Sequence, residues 1–201
     1  MNINNAIIQG TKILKKNNIR QPELDCEVLL AEALKKDRKY ILINQEEILK
    51  NKKFKVFKNL IWQRSLGKPV AYLTKKKDFW KSEFQINEGT LIPRPDTEIL
   101  IQETLKIFKN KKNLNILDVG VGSGCILLSI LKEKPGFYGT GIDVSDKSIN
   151  LTNINAKKLG VKNKLKLVKS NVDNFSLGKY DLIISNPPYI KKNEIKYLER
   201  D

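Results

Sequence analysis

The residues of this chain best suited to chemistry are Asn186-Pro187-Pro188-Tyr189, which follow an apolar run at 182–185. Such a run predicts a buried strand, so the tetrapeptide would lie at a strand's carboxyl end. There, an amide side chain and a backbone carbonyl can accept hydrogen bonds from a planar NH2 group, and an aromatic ring can cover its plane. The tetrapeptide predicts a rigid clamp for an amino or amide nitrogen; a rigid turn without a ligand is the alternative.

A glycine-rich turn upstream supplies the second chemical signal. Gly120, Gly122 and Gly124 follow a predicted strand and open a predicted helix, and glycine there lets a ligand approach the backbone closely. The spacing G-x-G-x-G is neither the dinucleotide fingerprint G-x-G-x-x-G nor a phosphate P-loop, which needs a following Lys-Ser or Lys-Thr. Asp143 ends the next strand, where an acid can accept hydrogen bonds from two ribose hydroxyls. With the leading Asp118, the pattern points to S-adenosylmethionine rather than NAD; a tight turn with a surface acid is the alternative.

The elements that would position these residues alternate from residue 114 onward. Apolar runs predict strands at 114–119, 137–142, 165–168 and 180–185, with helices at 124–131 and 146–159. This alternation predicts an α/β fold with parallel, Rossmann-like strands and crossover helices. In sheets of this type the fourth strand lies beside the first, so Asn186 would face the same crevice as the glycine turn.

The first part of the chain has a different pattern. Apolar residues at helical spacing predict a small helical bundle over residues 1–70, with helices at 4–16, after Pro22, and at 46–66. Short apolar pairs around a polar break predict a hairpin within 71–92. Beyond it, Asp96 or Thr97 is predicted to cap a helix that reaches about Lys109.

Composition excludes some function classes and leaves others open. The net charge of +16 permits contact with RNA, DNA or a ribonucleoprotein, although the excess of lysine over arginine, with abundant Asn and Ile, favours a codon bias as its origin. The chain has no histidine, which removes the usual general base and most zinc sites, so no metal is expected. No apolar run approaches the roughly 20 residues that span a bilayer, and the start lacks a signal peptide. We therefore expect a cytoplasmic protein with no membrane partner.

Together these stretches resemble the peptide-chain release factor glutamine methyltransferase family, whose members are class I S-adenosylmethionine-dependent enzymes. The resemblance is carried, in order, by residues 67–73 with Phe79 and Phe84, by residues 91–98, by residues 118–125 and by residues 185–190. It implies a helical substrate-recognition domain at 1–70, a linking hairpin at 71–92 and a methyltransferase domain at 93–201. It also implies that S-adenosylmethionine is held by Gly120, Val121, Gly122, Ser123, Gly124, Asp143, Val172 and Asn186.

The implied reaction is methyl transfer to the side-chain amide of the glutamine in the Gly-Gly-Gln loop of a release factor. The implied catalytic residues are Asn186 and Pro187, whose oxygens would accept the two amide N–H bonds, and Tyr189, which would cover the amide plane. Pro188 completes the implied substrate site. Two rivals are a nucleic-acid amino methyltransferase acting on adenine or cytosine and an inactive truncated remnant.

The sequence departs from the family pattern in three places. Asp96 stands where the family usually has Glu, which is a mild change. Asn171-Val172 stand where the family commonly has an acid and an aromatic residue beside the adenine, so adenine stacking on Val172 would be weaker. The chain stops at Asp201, 12 residues after Tyr189. A complete domain of this class has three more strands, so we expect a sheet with its first four strands and a truncated chain of uncertain activity.

Overall fold

The computed structural model describes residues 1–187 of the chain, and these residues form two compact units. One unit contains residues 1–74 and the other begins at Lys75. Within residues 1–187, no helix combines the length and the apolar character needed to cross a membrane.

Residues 1–74 form a helical bundle, as the sequence predicts. Its helices are α1 (Ile3–Lys16), α2 (Pro22–Leu34), α3 (Arg38–Ile43), α4 (Asn51–Ser65) and α5 (Val70–Thr74). Pro22 occupies the first turn of α2, where its missing N–H costs no helical hydrogen bond. The core is apolar and includes the fully buried Leu29 and Leu30 beside Phe57 and Ile61.

The predicted helix at 46–66 is wrong at its start, because α4 begins only at Asn51. Residues 47–49 are instead held extended against the N-terminus. The Ile3 N–H donates to the Glu47 carbonyl at 3.0 Å, and the Leu49 N–H donates to the Met1 carbonyl at 2.9 Å. The short helices α3 and α5 were not predicted; six and five residues are too few to show a helical period.

The second unit opens with the predicted hairpin, formed by β1 (Lys76–Phe79) and antiparallel β2 (Ser82–Gln85). Phe79 and Phe84 are buried, with ring centroids 6.2 Å apart. A 3₁₀ turn at Pro95–Thr97 then leads into α6 (Glu98–Ile107). The predicted cap is wrong in its chemistry: Thr97 stands at the N-cap of α6, but its side chain makes no capping hydrogen bond.

The remaining elements confirm the predicted parallel α/β fold. The strands are β3 (Leu114–Val119), β4 (Phe137–Asp143), β5 (Leu165–Lys169) and β6 (Leu182–Ser185), and the helices are α7 (Cys125–Glu133) and α8 (Asp146–Lys158). The described strands pair in the order β5-β4-β3-β6, and every pairing is parallel. β6 therefore lies beside β3, as expected for a Rossmann-like sheet.

Two glycines of β4 let neighbouring apolar residues pack closely on the sheet. A Cβ on Gly139 would meet Leu127 of α7 at 2.7 Å, and a Cβ on Gly141 would meet Val121 at 2.8 Å. Leu127 is fully buried and Val121 nearly so. This close packing fixes the positions of Val121, between β3 and α7, and of Leu127, in α7, relative to β4.

Candidate active site at the carboxyl edge of the sheet

The strand register brings the two chemical signals of the sequence together. Val119 pairs with Ser185, so Gly120 and Asn186 leave neighbouring parallel strands at the same level. The Ser185 hydroxyl also donates to the Val119 carbonyl at 3.0 Å, which ties the two strand ends. Open α/β sheets bind ligands at the carboxyl ends of their strands, at the point where the strand order reverses. That point is β3 here, because β4 and β5 lie on one side of it and β6 lies on the other.

The three glycines of the turn serve two different purposes. All have positive φ: 78° at Gly120, 57° at Gly122 and 79° at Gly124. Among the described residues, no atom lies within 4 Å of a Cβ built on Gly120, and only the Gly120 carbonyl oxygen, at 3.8 Å, lies near one built on Gly122. A Cβ on Gly124 would meet Thr152 at 2.7 Å. The first two glycines therefore leave room for a ligand, while the third permits close packing.

Two polar residues of α8, which the sequence analysis missed, donate hydrogen bonds to the backbone of the glycine turn. The Thr152 hydroxyl donates to the Gly122 carbonyl at 2.9 Å, and the Asn155 amide donates to the Ser123 carbonyl at 2.9 Å. Both side chains are fully buried. The sequence signal that could have found them is their spacing. Thr152 and Asn155 are three positions apart, which places both on the same face of α8.

Asn155 also binds the hairpin. Its side-chain oxygen accepts from the Gln85 N–H at 2.8 Å, and its NH2 group donates to the Gln85 carbonyl at 3.1 Å. With the bond to Ser123, one buried amide joins the end of β2 to the glycine turn. This side chain thereby satisfies three backbone groups at once.

Asp143 is the last residue of β4, as the sequence predicts, and its side chain contacts the glycine turn. One carboxylate oxygen accepts from the Gly122 N–H at 3.0 Å, and the other accepts from the Ser145 N–H at 2.9 Å. The side chain is half-buried. Each carboxylate oxygen has a second lone pair, so the fixed carboxylate retains acceptor capacity for hydroxyl donors such as those of a ribose.

Asp118, at the end of β3, is a buried carboxyl group beneath the turn. Burial raises the pKa of Asp118 from an ordinary value of 3.8 to about 7, because the carboxylate loses its water. The backbone N–H of Leu127 opposes this rise by donating to the carboxylate, and the negative charge of Asp143 adds to it. Asp118 thus accepts a hydrogen bond from the first turn of α7, where helical N–H groups lack partners within the helix.

Asn186, half-buried, contacts a segment that sequence reasoning placed at a helix cap. Its side-chain NH2 group donates to the Thr97 hydroxyl oxygen at 3.2 Å. The structure thus brings the segment at 91–98 together with the start of the tetrapeptide. Pro187 is exposed at the strand end, and the predicted site residues Pro188 and Tyr189 lie outside the described residues.

Val172 is the remaining predicted cofactor residue, and it lies in the loop after β5. The Ser170 N–H donates to the Asp143 carbonyl at 3.1 Å, so this loop starts at the same sheet edge as the rest of the site. The Val172 side chain is 56% exposed. Its contact with an adenine stays a prediction.

Known proteins similar to this chain match both of its units. Residues 5–74 match the family described as PrmC N-terminal domain, and residues 96–199 match the Methyltransferase small domain. A release factor glutamine methyltransferase of Buchnera aphidicola subsp. Acyrthosiphon pisum is 38% identical over 189 residues, which cover 94% of this chain and 68% of that protein. The protein of the same name from Buchnera aphidicola subsp. Schizaphis graminum is 39% identical over 202 residues, covering 100% of this chain and 72% of that protein.

Among solved structures, a ribosomal protein L11 methylase from Lactobacillus delbrueckii subsp. bulgaricus aligns with 50% of this chain and 51% of its own. The TM-score is 0.43 and the sequence identity is 27%.

Proposed function

The chain belongs to the release factor glutamine methyltransferase family, and we propose that it methylates the glutamine side-chain amide in the Gly-Gly-Gln loop of peptide chain release factors. The methyl donor is S-adenosylmethionine. The observation that carries this function is the pairing of Val119 with Ser185, which sets Asn186 beside the glycine turn. A methyl donor bound at the turn and a methyl acceptor bound at the tetrapeptide would meet in that crevice.

The residues present fit the cofactor. Gly120 and Gly122 leave space beside the backbone, and Asp143 is fixed at the edge of that space with both oxygens oriented by backbone N–H groups. In our proposal the turn from Gly120 to Gly124, with Val121 and Ser123, holds the amino acid part of S-adenosylmethionine. Asp143 accepts from the ribose hydroxyls, and Val172 packs on the adenine. Bound S-adenosylmethionine supplies a methyl group on a positively charged sulfur.

The chemical difficulty lies in the acceptor, because the lone pair of an amide nitrogen is delocalised. We propose that the Asn186 side-chain oxygen and the Pro187 carbonyl accept the two N–H bonds of the glutamine amide. These acceptors fix the nitrogen in line for displacement, which is an orientation effect. They also stabilise the positive charge that develops on nitrogen during transfer. Tyr189 covers the amide plane, Pro188 holds the turn rigid, and the proton leaves to water.

We further propose that the parts of the chain divide this work. Residues 1–70 recognise the release factor and residues 93–201 catalyse methyl transfer. Residues 71–92 link these two parts. We place the reaction in the cytoplasm because its substrate acts in translation. Contact with the ribosome or RNA, which the net charge of +16 permits, stays a prediction.

A nucleic-acid amino methyltransferase would also use an Asn-Pro-Pro-Tyr motif, but would need to flip its base from the helix. Methyl-labelled S-adenosylmethionine should be incubated with the chain and either a release factor, the same factor with its loop glutamine replaced, or double-stranded DNA. We expect label in the first sample alone. Label in DNA, or equal label in the glutamine-replaced factor, would overturn the proposed substrate.

A further inference from the structure

We propose that Thr152 is a positioning residue of the glycine turn, because its hydroxyl holds the peptide unit between Gly122 and Ser123 in one orientation. This inference rests on the proposed function, in which the turn from Gly120 to Gly124 holds the amino acid part of S-adenosylmethionine. Thr152 lies outside the turn, on α8, and its side chain is fully buried. It acts on the cofactor through the backbone of the turn rather than by direct contact.

The backbone from Val121 to Gly124 forms a β-turn whose central peptide, between Gly122 and Ser123, has two possible orientations. The Gly124 N–H donates to the Val121 carbonyl at 2.8 Å, which closes the turn. The angle φ is positive at Gly122, at 57°, but not at Ser123. These signs are typical of a type II′ turn, which has glycine at its first central position. A flip of the central peptide would give a type I′ turn, in which Ser123 would also need a positive φ.

The peptide units on either side of the central peptide are each held at both ends. In the unit before it, the Gly122 N–H donates to the Asp143 carboxylate at 3.0 Å. In the unit after it, the Ser123 carbonyl accepts from the Asn155 amide at 2.9 Å. The hydrogen bond that closes the turn holds the other end of both units. Rotation is therefore left to the central peptide.

The central peptide is held at its carbonyl end by Thr152. The Thr152 hydroxyl is 2.9 Å from the Gly122 carbonyl oxygen and must be the donor, because a carbonyl oxygen can only accept. Since the C=O and N–H of a trans peptide point in opposite directions, this bond turns the Ser123 N–H away from α8. Ser123 is buried, and within residues 1–187 its N–H has no hydrogen-bond partner. A buried donor of this kind suits an acceptor from a ligand.

The direction of the Ser123 N–H matters for a bound amino acid group. The amino acid part of S-adenosylmethionine carries a carboxylate, which an N–H attracts and a carbonyl oxygen repels. A flipped central peptide would put the Gly122 carbonyl oxygen where the Ser123 N–H now lies. The flipped turn should therefore bind the cofactor more weakly, and the apparent dissociation constant should rise with the flipped fraction.

Three substitutions separate this role from general stability. Thr152→Val keeps the shape and removes the hydroxyl, Thr152→Ser keeps the hydroxyl, and Thr104→Val removes a buried hydroxyl that donates to the Leu100 carbonyl on α6. In calorimetric titrations below the unfolding range, we expect Thr152→Val to raise the dissociation constant for S-adenosylmethionine about 2- to 10-fold, the effect of one neutral hydrogen bond. Thr152→Ser and Thr104→Val should keep it within about twofold of the unsubstituted chain.

Ser123→Gly provides the sharper test. Glycine tolerates a positive φ, so this substitution removes the second restraint on the flip. Thr152→Val should then raise the dissociation constant by a larger factor in the Ser123→Gly chain than in the chain that keeps Ser123, because more of the turn is able to flip. An equal factor in both backgrounds, or an unchanged constant in both, would overturn the proposed role.

Binding without catalysis separates this inference from the proposed function. If no release factor is methylated but the dissociation constants change as expected, the proposed substrate fails while the role of Thr152 stands. If a release factor is methylated but Thr152→Val binds the cofactor as the unsubstituted chain does, the inference fails and the proposed function stands. In that methylation assay, Thr152→Val should raise KM for S-adenosylmethionine and keep kcat within about twofold, because saturating cofactor restores the turn. A lower kcat with an unchanged KM would contradict the positioning role.

Discussion

Replacing Asn155 by leucine should destabilise the second unit more than any surface change. The side chain is fully buried and makes three hydrogen bonds to the backbone of Gln85 and Ser123, at 2.8, 3.1 and 2.9 Å. Leucine has a similar volume but leaves all three backbone groups without this partner. At about 1–3 kcal/mol for each group that loses its partner, three groups give about 3–9 kcal/mol. Because Ser123 is buried but Gln85 is exposed, we expect the lower part of that range, a loss of about 3–5 kcal/mol in the free energy of unfolding.

Thermal and urea unfolding measure this loss directly. For a chain of this size the midpoint temperature should fall by about 10 °C. The matched control is Asn150→Leu, because Asn150 is exposed on the same helix and its replacement should change stability by less than about 0.5 kcal/mol. Titration with S-adenosylmethionine below the unfolding range should also show weaker binding for Asn155→Leu, since the Ser123 carbonyl loses its donor. A midpoint no lower than that of Asn150→Leu would refute the bridging role.

Three further substitutions test the site. Asn186→Ala should leave the dissociation constant for S-adenosylmethionine within about twofold but lower single-turnover methyl transfer about 100-fold, the scale of a lost transition-state contact; unchanged transfer contradicts its role. Asp143→Ala should raise that dissociation constant about 10- to 100-fold in a calorimetric titration, because charged hydrogen bonds are lost; unaltered affinity counts against the ribose contact. Burial raises the pKa of Asp118 from 3.8 to about 7, so between these values the folded chain keeps a proton that the unfolded chain releases. The free energy of unfolding should therefore fall by up to about 4 kcal/mol as the pH rises from about 4 to about 7. Asp118→Asn should flatten that fall in urea unfolding across this pH range, and an equal slope in both proteins would show that Asp118 does not carry it.

The sheet, the glycine turn and the strand end before Asn186 could be predicted from sequence because their signals are local. Apolar runs mark β3 and β6, and three glycines between a strand and a helix leave few alternatives to a tight turn. The adjacency of β3 and β6 followed from the regular topology of parallel α/β sheets. The strands and the turn are each indicated by a few consecutive residues.

The polar contacts of the site could not be predicted, because they join residues far apart in the chain. Thr97 lies 89 residues from Asn186, so its local context indicated a helix cap. Asn155 lies 70 residues from Gln85, and an asparagine within a helix indicates no partner by itself. The extended residues 47–49 likewise depend on the N-terminus rather than on their own propensity. Such contacts are tertiary, and they override local preference.

A crystal structure of the chain with S-adenosylhomocysteine and a release-factor peptide containing Gly-Gly-Gln tests the shared crevice most directly. We predict that the thioether sulfur lies over the turn at Gly120–Gly124 and that the glutamine amide nitrogen donates to the Asn186 oxygen. The ribose hydroxyls should donate to Asp143. A glutamine bound away from Asn186, or a nucleoside bound away from the glycine turn, would contradict the proposed meeting of donor and acceptor.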